Sequence, residues 1–404
     1  MNRILATKAL FVLVLCFSIA FMAMDINMGV IHSVVTFAMY ICFIVVFKFW
    51  FNQRQHITYP KLYKGFLLLF TVYSIAILFD LTIDRQFPLS EMLGCPSTVQ
   101  EFILNSGILF FILLFVPLLN NIRNFDFLYY WFIGLNSLSM IYIVMHVGSG
   151  GLGGLALTLS CTATSVILLS FALLKSSENT TLNKAFLIFA IIAGIIVWGF
   201  CSKRGPILYF MVILLFWYAS GNKGRSVKTL FTLTVLVGLL VIFQDFVLNT
   251  LGAFAPELAS KFRETVQYGD TSGRIGDDSS GYALAISQIQ EGPWLGSYFR
   301  LTVPYGIWSG MYPHNFFLEL LMTFGLLGTV FSLFFIVKAV LYSNKIFQMQ
   351  GKTSMRVRNL FFTILFLNSF LSMMSTGTPL LNRTFWVSFG LILYFSSLKP
   401  QTNV

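Results

Sequence analysis

Two adjacent residues, His314 and Asn315, stand where a long polar segment gives way to an apolar run, in the stretch Tyr312–Thr329 that reads YPHNFFLELLMTFGLLGT. A histidine titrates near neutrality and can take a proton from an attacking hydroxyl. If a helix opens at His314, its first N–H groups have no helical partner and favour an anion. The same side of the sequence carries Lys203, Arg204, Arg274, Arg300 and Arg383. A guanidinium offers a planar fork that grips phosphate oxygens in pairs and keeps its charge when partly desolvated. One histidine, several arginines and few competing acids suit the handling of a phosphate or diphosphate. Asn315 and Glu319 are four residues apart, so on a helix they are expected to hydrogen-bond, with Glu319 an ionisable group one turn into the apolar run. The plainer alternative is that His314 and Asn315 only cap that helix.

The elements that must position these residues are membrane helices. The chain has 404 residues, of which 57% are hydrophobic and 10% charged, with a mean hydropathy of +0.81, whereas a soluble domain carries roughly 25% charged residues. Backbone polar groups cannot stay unpaired in lipid, which leaves helices or a closed barrel, and apolar runs of about 18 to 23 residues select helices. Spans are expected at 8–24, 29–47, 62–81, 101–119, 127–145, 152–174, 185–201, 205–220, 229–246, 314–341, 358–375 and 381–398. The predicted fold is therefore an all-α polytopic membrane protein of about twelve spans, with 1–404 forming a single transmembrane domain. The N-terminal run, with Arg3 and Lys8 ahead of it, resembles a signal peptide, but many spans follow and it is expected to remain as the first helix.

Most connections are short, including the glycine-rich turn near position 150, whose His146 is an interface residue rather than a ligand. The exception is 246–313, a large loop between the ninth and tenth spans and too long to be structureless. Within it, Ser280 can cap a short amphipathic helix running through Gln290, with Tyr282, Ala285, Ile286 and Ile289 on one face and Gly292 and Pro293 ending it. Such a helix lies over the membrane domain or in its interface.

Placing the N-terminus in the cytosol puts most of the basic residues on the cytoplasmic side, Lys48, Lys64, Lys175, Lys184, Lys223, Lys345, Arg356 and Arg358 among them, and both termini then face the cytosol. Eight basic residues fall on the outer side instead: Arg85, Lys203, Arg204, Lys261, Arg263, Arg274, Arg300 and Arg383. Arg85, Lys261 and Arg263 have acidic neighbours in Asp84, Glu257 and Glu264 and belong to solvated faces. Lys203 and Arg204 sit in a very short turn, CSKRGP, where a solvated face explains less.

Several function classes are excluded by what the sequence lacks. There is no phosphate-binding G-x-x-x-x-G-K-[ST] loop, no G-x-S-x-G elbow and no zinc-spaced His/Cys cluster. Asp277 and Asp278 are the only adjacent carboxylates, too few oxygens for a hard cation, so neither metal nor cofactor is expected. No basic patch is interleaved with exposed aromatics, so nucleic acid is not a partner. Cys16, Cys42, Cys161 and Cys201 lie in or beside apolar runs and only Cys95 is in an outer loop, which implies no disulfide framework.

His314-Asn315, nine residues, then Gly325-Leu326-Leu327-Gly328-Thr329, after a large outer loop and before the last spans, resembles the signature of the bacterial O-antigen polymerase and O-antigen ligase superfamily. GRIGDDSSGYALAISQIQEGPWLGS resembles that family's arginine-bearing loop helix and the P-x-x-G turn after it, and SKRGP resembles its SRG turn with Lys203 added. The resemblance covers roughly residues 200–330 and implies a GT-C-like helical glycosyltransferase fold in the bacterial inner membrane, with the active site facing the periplasm. It implies that Arg204 and Arg274 hold the diphosphate of an undecaprenyl-linked oligosaccharide donor; Lys203, Arg300, Arg383 and Asn315, the other cationic and polar residues expected on that side, are candidates for further contacts. His314 is then the base, with Glu319 beside it. The acceptor is a second lipid-linked repeat unit, and a chain-length regulator and a flippase are implied partners. The ligase reading keeps the donor and takes lipid A core as acceptor. A flippase or other transporter would instead show repeated halves and a polar site at the midplane.

Overall fold

The structure is a computed structural model that describes residues 41–42, 44–49, 51–52, 58–79, 109–119, 126–147, 155–176, 180–201, 203–220, 252, 260, 281–296, 315–349, 354–375 and 382–398. The spans expected at 8–24 and 229–246 lie outside these residues. The elements are α1 (Lys61–Phe79), α2 (109–115) running into a 3-10 turn at Val116–Leu119, α3 (Asp126–Val147), α4 (Leu155–Ser176), α5 (Thr181–Cys201) and α6 (Arg204–Ser220). They continue with α7 (Gly281–Glu291), α8 (Phe316–Gln348), α9 (Ser354–Ser375) and α10 (Arg383–Ser397). No strand occurs among the described residues, as lipid requires of a chain that must satisfy its own backbone. Four of the described helices are long and apolar enough to cross a bilayer, Ala156–Lys175, Thr181–Cys201, Phe324–Gln348 and Arg356–Met374; Gly205–Ser220 and Thr384–Ser397 are apolar but shorter.

The outward faces of these helices are greasy. On α5, Ile188, Ile192, Ile195, Ile196 and Phe200 are exposed at helical spacing while Leu187, Ala190, Gly194, Val197 and Cys201 are buried. An apolar stripe turned outward is the pattern of a helix solvated by lipid rather than water.

The chain divides into two compact units. The first takes Met1–Phe47, Asn121–Asp270 and Leu341–Ser372, and so contains α3 to α6, the end of α8 and most of α9. Its tightest seam joins α4 and α5. A Cβ on Gly194 would lie 2.6 Å from Cγ1 of Ile167, so only glycine permits this approach. Polar side chains then tie the helices together. The Asn368 amide on α9 donates to the Cys161 carbonyl at 2.8 Å and to Ser165 Oγ at 2.7 Å, both on α4.

The second unit takes Lys48–Asn120, Thr271–Val340 and Met373–Val404. Phe66 and Tyr63 of α1 pack edge-on against Phe389 and Tyr394 of α10, and Gly390 lets Leu113 and Phe66 reach the α10 backbone. Pro117 has no N–H, which leaves the Leu113 carbonyl without its helical donor. Tyr63 Oη donates to that carbonyl at 2.6 Å, and Tyr59 Oη donates to the next one, Leu114, at 2.7 Å.

Two helices outrun their apolar stretches. α8 continues past 341 to Gln348 and α9 begins at Ser354, because helical hydrogen bonding carries on through polar turns that a hydropathy limit leaves out.

Candidate functional site

In the second unit the residues that carry the sequence signature are built around a break in α8. Gly325 has φ 60° and ψ −167°, which divides the helix into a short limb, 316–324, and a long one. That backbone region is open essentially to glycine alone. The break is made by a partner. α7 ends at Glu291, Gly292 N donates to Gln288 O, and the Pro293–Gly296 turn closes through Gly296 N to Gly292 O at 2.9 Å, with Gly296 at φ 75°. Across the break, Leu326 N donates to the Pro293 carbonyl at 2.9 Å and Leu327 N to the Trp294 carbonyl at 3.3 Å. These two amides lost their own helical acceptors when Gly325 turned, and the loop turn supplies replacements. A Cβ on Gly325 would fall 2.4 Å from the Trp294 main chain. The P-x-x-G turn and the GLLGT motif, whose bonded residues are 33 apart in sequence, are thus one main-chain junction.

The short limb is held on its other sides too. Ala285 of α7 is buried against Met322, with Ile289 and Leu318 packed around them. The inward face of α7 differs from the sequence expectation. Ala285 and Gln288 are buried whereas Ile286 is exposed, so the helix is rotated toward its glutamine side by its fit against the limb. The expected helix itself, 280–290, is present as Gly281–Glu291.

Asn315 caps the limb. Its Oδ1 accepts from Phe317 N at 3.0 Å and from Leu318 N at 3.2 Å. Between Asn315 and Glu319, expected to pair through their side chains, the bond present is the main-chain one of the first helical turn, Glu319 N to Asn315 O at 2.9 Å. Glu319 is 2% exposed and lies within electrostatic reach of Tyr73 on α1, whose ring packs 4.3 Å from Phe324. Beside this end, Asn382 caps α10 by accepting from Phe385 N at 3.0 Å, and Phe316 packs on Phe385 at 5.6 Å. Two asparagine-capped helix N-termini therefore meet, with Arg383 at the first position of α10. Free N–H groups converging in this way favour an anion. Arg274, Arg300 and His314 lie outside the described residues.

Lys203 and Arg204 belong to the first unit. α5 ends at Cys201 and α6 starts at Arg204, so both occupy the tight turn expected from CSKRGP. Pro206 stands in the first turn of α6, where its missing N–H costs nothing. The turn is braced from α4, since Thr164 Oγ1 donates to the Pro206 carbonyl at 3.1 Å and Trp198 Nε1 donates to Thr164 Oγ1 at 3.2 Å. Beneath it lies a polar group that sequence reasoning missed, formed by Ser160, Cys161, Ser165, Asn368 and Ser372. The only signal for it was a run of small polar residues on α4, which reads equally well as helix packing.

At the other end of the same helices Lys175 Nζ lies 5.5 Å over the Trp217 ring, Trp217 stacks on Phe347, and Asn359 next to buried Arg358 donates to Tyr342 Oη at 3.3 Å. Lys175, Lys345, Arg356 and Arg358 thus gather at the end of this unit opposite Lys203 and Arg204. Among the described residues no three His, Cys, Asp or Glu side chains stand together as metal ligands, and Asp277 and Asp278 lie outside them. No protein-family description matches the chain, and no curated protein matches its sequence.

Proposed function

We propose that this chain is a polytopic membrane glycosyltransferase of about twelve spans, GT-C-like in fold, that polymerises undecaprenyl-diphosphate-linked repeat units on the periplasmic face of a bacterial inner membrane. An acceptor hydroxyl oxygen bonds to the anomeric carbon of the donor glycan as the carbon–oxygen bond to the diphosphate breaks. The electron pair leaves with the diphosphate and the hydroxyl proton passes to His314, with inversion at the anomeric carbon. Arg204 and Arg274 hold the diphosphate and offset the charge gathering on it, which removes the need for a metal. Lys203, Arg300, Arg383 and Asn315 are the further diphosphate contacts of this reading.

One observation carries this reading: the main-chain junction between the Pro293–Gly296 turn and Gly325. The two motifs whose order gave the family resemblance are bonded to each other, which brings the loop helix and the broken span into one local structure. The opposed basic ends of the first unit support it as well, since they separate Lys203 and Arg204 from the side that the positive-inside rule assigns to the cytosol.

Purified protein supplied with lipid-linked repeat units should yield a ladder of glycan lengths. Transfer only when lipid A core is added makes it a ligase, and no new glycosidic bond with either acceptor ends the glycosyltransferase reading.

A further inference from the structure

The turn that locks Gly325 carries two large apolar side chains pointing outward. Trp294 is 63% exposed and Leu295 is 64% exposed. Both follow the helix α7, whose buried face is already taken up by the short limb of α8. Directly below the junction the long limb of α8 exposes Leu326, Leu327, Val330, Phe331 and Phe334, a stripe at helical spacing. The two hydrogen bonds from Leu326 N and Leu327 N fix Pro293 and Trp294 at the top of this stripe. Trp294 and Leu295 thus extend a surface whose solvent is lipid.

Depth follows from helix geometry. The last turn of α8 carries Lys345. At roughly 1.5 Å per residue, the stretch from Gly325 to Lys345 is about 30 Å long, the thickness of the hydrocarbon core. Lys338, about 10 Å short of Lys345 along the helix, keeps its Nζ 5.6 Å over the Phe334 ring and not in bare lipid; with Lys345 at one boundary, Gly325 and its bonded turn lie at the other. A tryptophan, apolar in body with one N–H to donate, is the residue that gathers at that level. In water the same two side chains would leave a large apolar area hydrated beside an already greasy helix.

We propose that the Trp294–Leu295 turn is a membrane anchor, seated in the lipid at the boundary opposite Lys345, which holds α7 and the loop that contains it against the bilayer surface. The partner is lipid itself, and the proposal does not depend on the glycosyltransferase reading. Its consequence is that the loop helix keeps a fixed depth, as a site acting on the head group of a membrane-embedded substrate requires.

The test uses a full-length chain with its five native cysteines replaced, reconstituted in phosphatidylethanolamine–phosphatidylglycerol vesicles, with a nitroxide on Leu295→Cys or, as reference, Leu327→Cys. Both positions are exposed, so the label disturbs no packing. Power saturation should show the 295 label more accessible to oxygen than to a water-soluble nickel chelate, at a depth within a few ångströms of the 327 label. Greater access to nickel than to oxygen would place the turn in water and overturn the anchor. Low access to both reagents would mean that protein covers the turn, and would overturn it equally.

Discussion

Gly325 joins a loop to a span because it has no side chain. Alanine at this position would carry a Cβ into the main chain of Trp294, 2.4 Å away, and would have to hold a φ of 60° with ψ near −167°. The backbone cost alone is about 1 to 3 kcal/mol, and the junction cannot give way without losing the two hydrogen bonds. Gly325→Ala should therefore release the turn: amide exchange at Leu326 and Leu327 should accelerate at least tenfold, with little change in α4 or α5. Unchanged exchange would show that the junction does not depend on glycine. Charge and structure separate at the other candidate residues. Arg204→Lys and Arg274→Lys keep the charge and lose the fork, so polymer formation should fall in both while folded protein is retained. Losing a contact that strengthens in the transition state costs about 3 to 4 kcal/mol, two to three orders of magnitude in rate. His314→Asn, which can still cap a helix, should be as defective as His314→Ala if His314 is the base. Near-normal polymer from His314→Asn would end the base assignment and return that role to Glu319.

At the scale of elements, the second unit shows how a broken backbone is repaired inside an apolar core. Pro117 frees the Leu113 carbonyl and Tyr63 Oη fills it at 2.6 Å. Tyr63→Phe should cost about 1 to 3 kcal/mol, the usual penalty of a buried acceptor left unmade. In a Pro117→Ala background the main-chain donor returns, so the same substitution should cost well under half as much; equal costs in the two backgrounds would break the assignment. Helices such as α4, α5, α7 and α10 were legible in the sequence because each depends on a local apolar run and local punctuation, as in the Gly292-Pro293 stop that ends α7. The break in α8 was not, because nothing near Gly325 demands it. FGLLGT reads as continuous helix, and the positive φ follows from a turn met much earlier in the chain. For the same reason the burial of Gln288 and exposure of Ile286 on α7 do not follow from its own pattern, since Met322 and Leu318 set which side of the helix is covered. Of the candidate site, the CSKRGP turn and the cap at Asn315 could be read locally, whereas the meeting of the α8 and α10 N-termini required Phe316 to find Phe385.

At the scale of the whole molecule, charge is what orients the chain across a bilayer. In the first unit Lys175, Lys345, Arg356 and Arg358 share one end and the Lys203–Arg204 turn occupies the other. Each lysine or arginine moved into lipid costs about 2.5 to 3.5 kcal/mol on insertion scales, so neither end can lie at the midplane. On the proposed reading the larger basic cluster faces the cytosol, the loop bearing Arg274 is external and the connection between α8 and α9 is internal. In a background without native cysteines, Ser279→Cys should react with a membrane-impermeant maleimide added to intact spheroplasts, and Thr353→Cys should react only after permeabilisation. A diphosphate clamp built from Arg204 and Arg274 can act on a periplasmic substrate only in that orientation. Labelling of Thr353→Cys from outside, with Ser279→Cys protected, would put the clamp in the cytosol and end the periplasmic mechanism, while leaving the junction at Gly325 and the lipid anchor at Trp294 untouched.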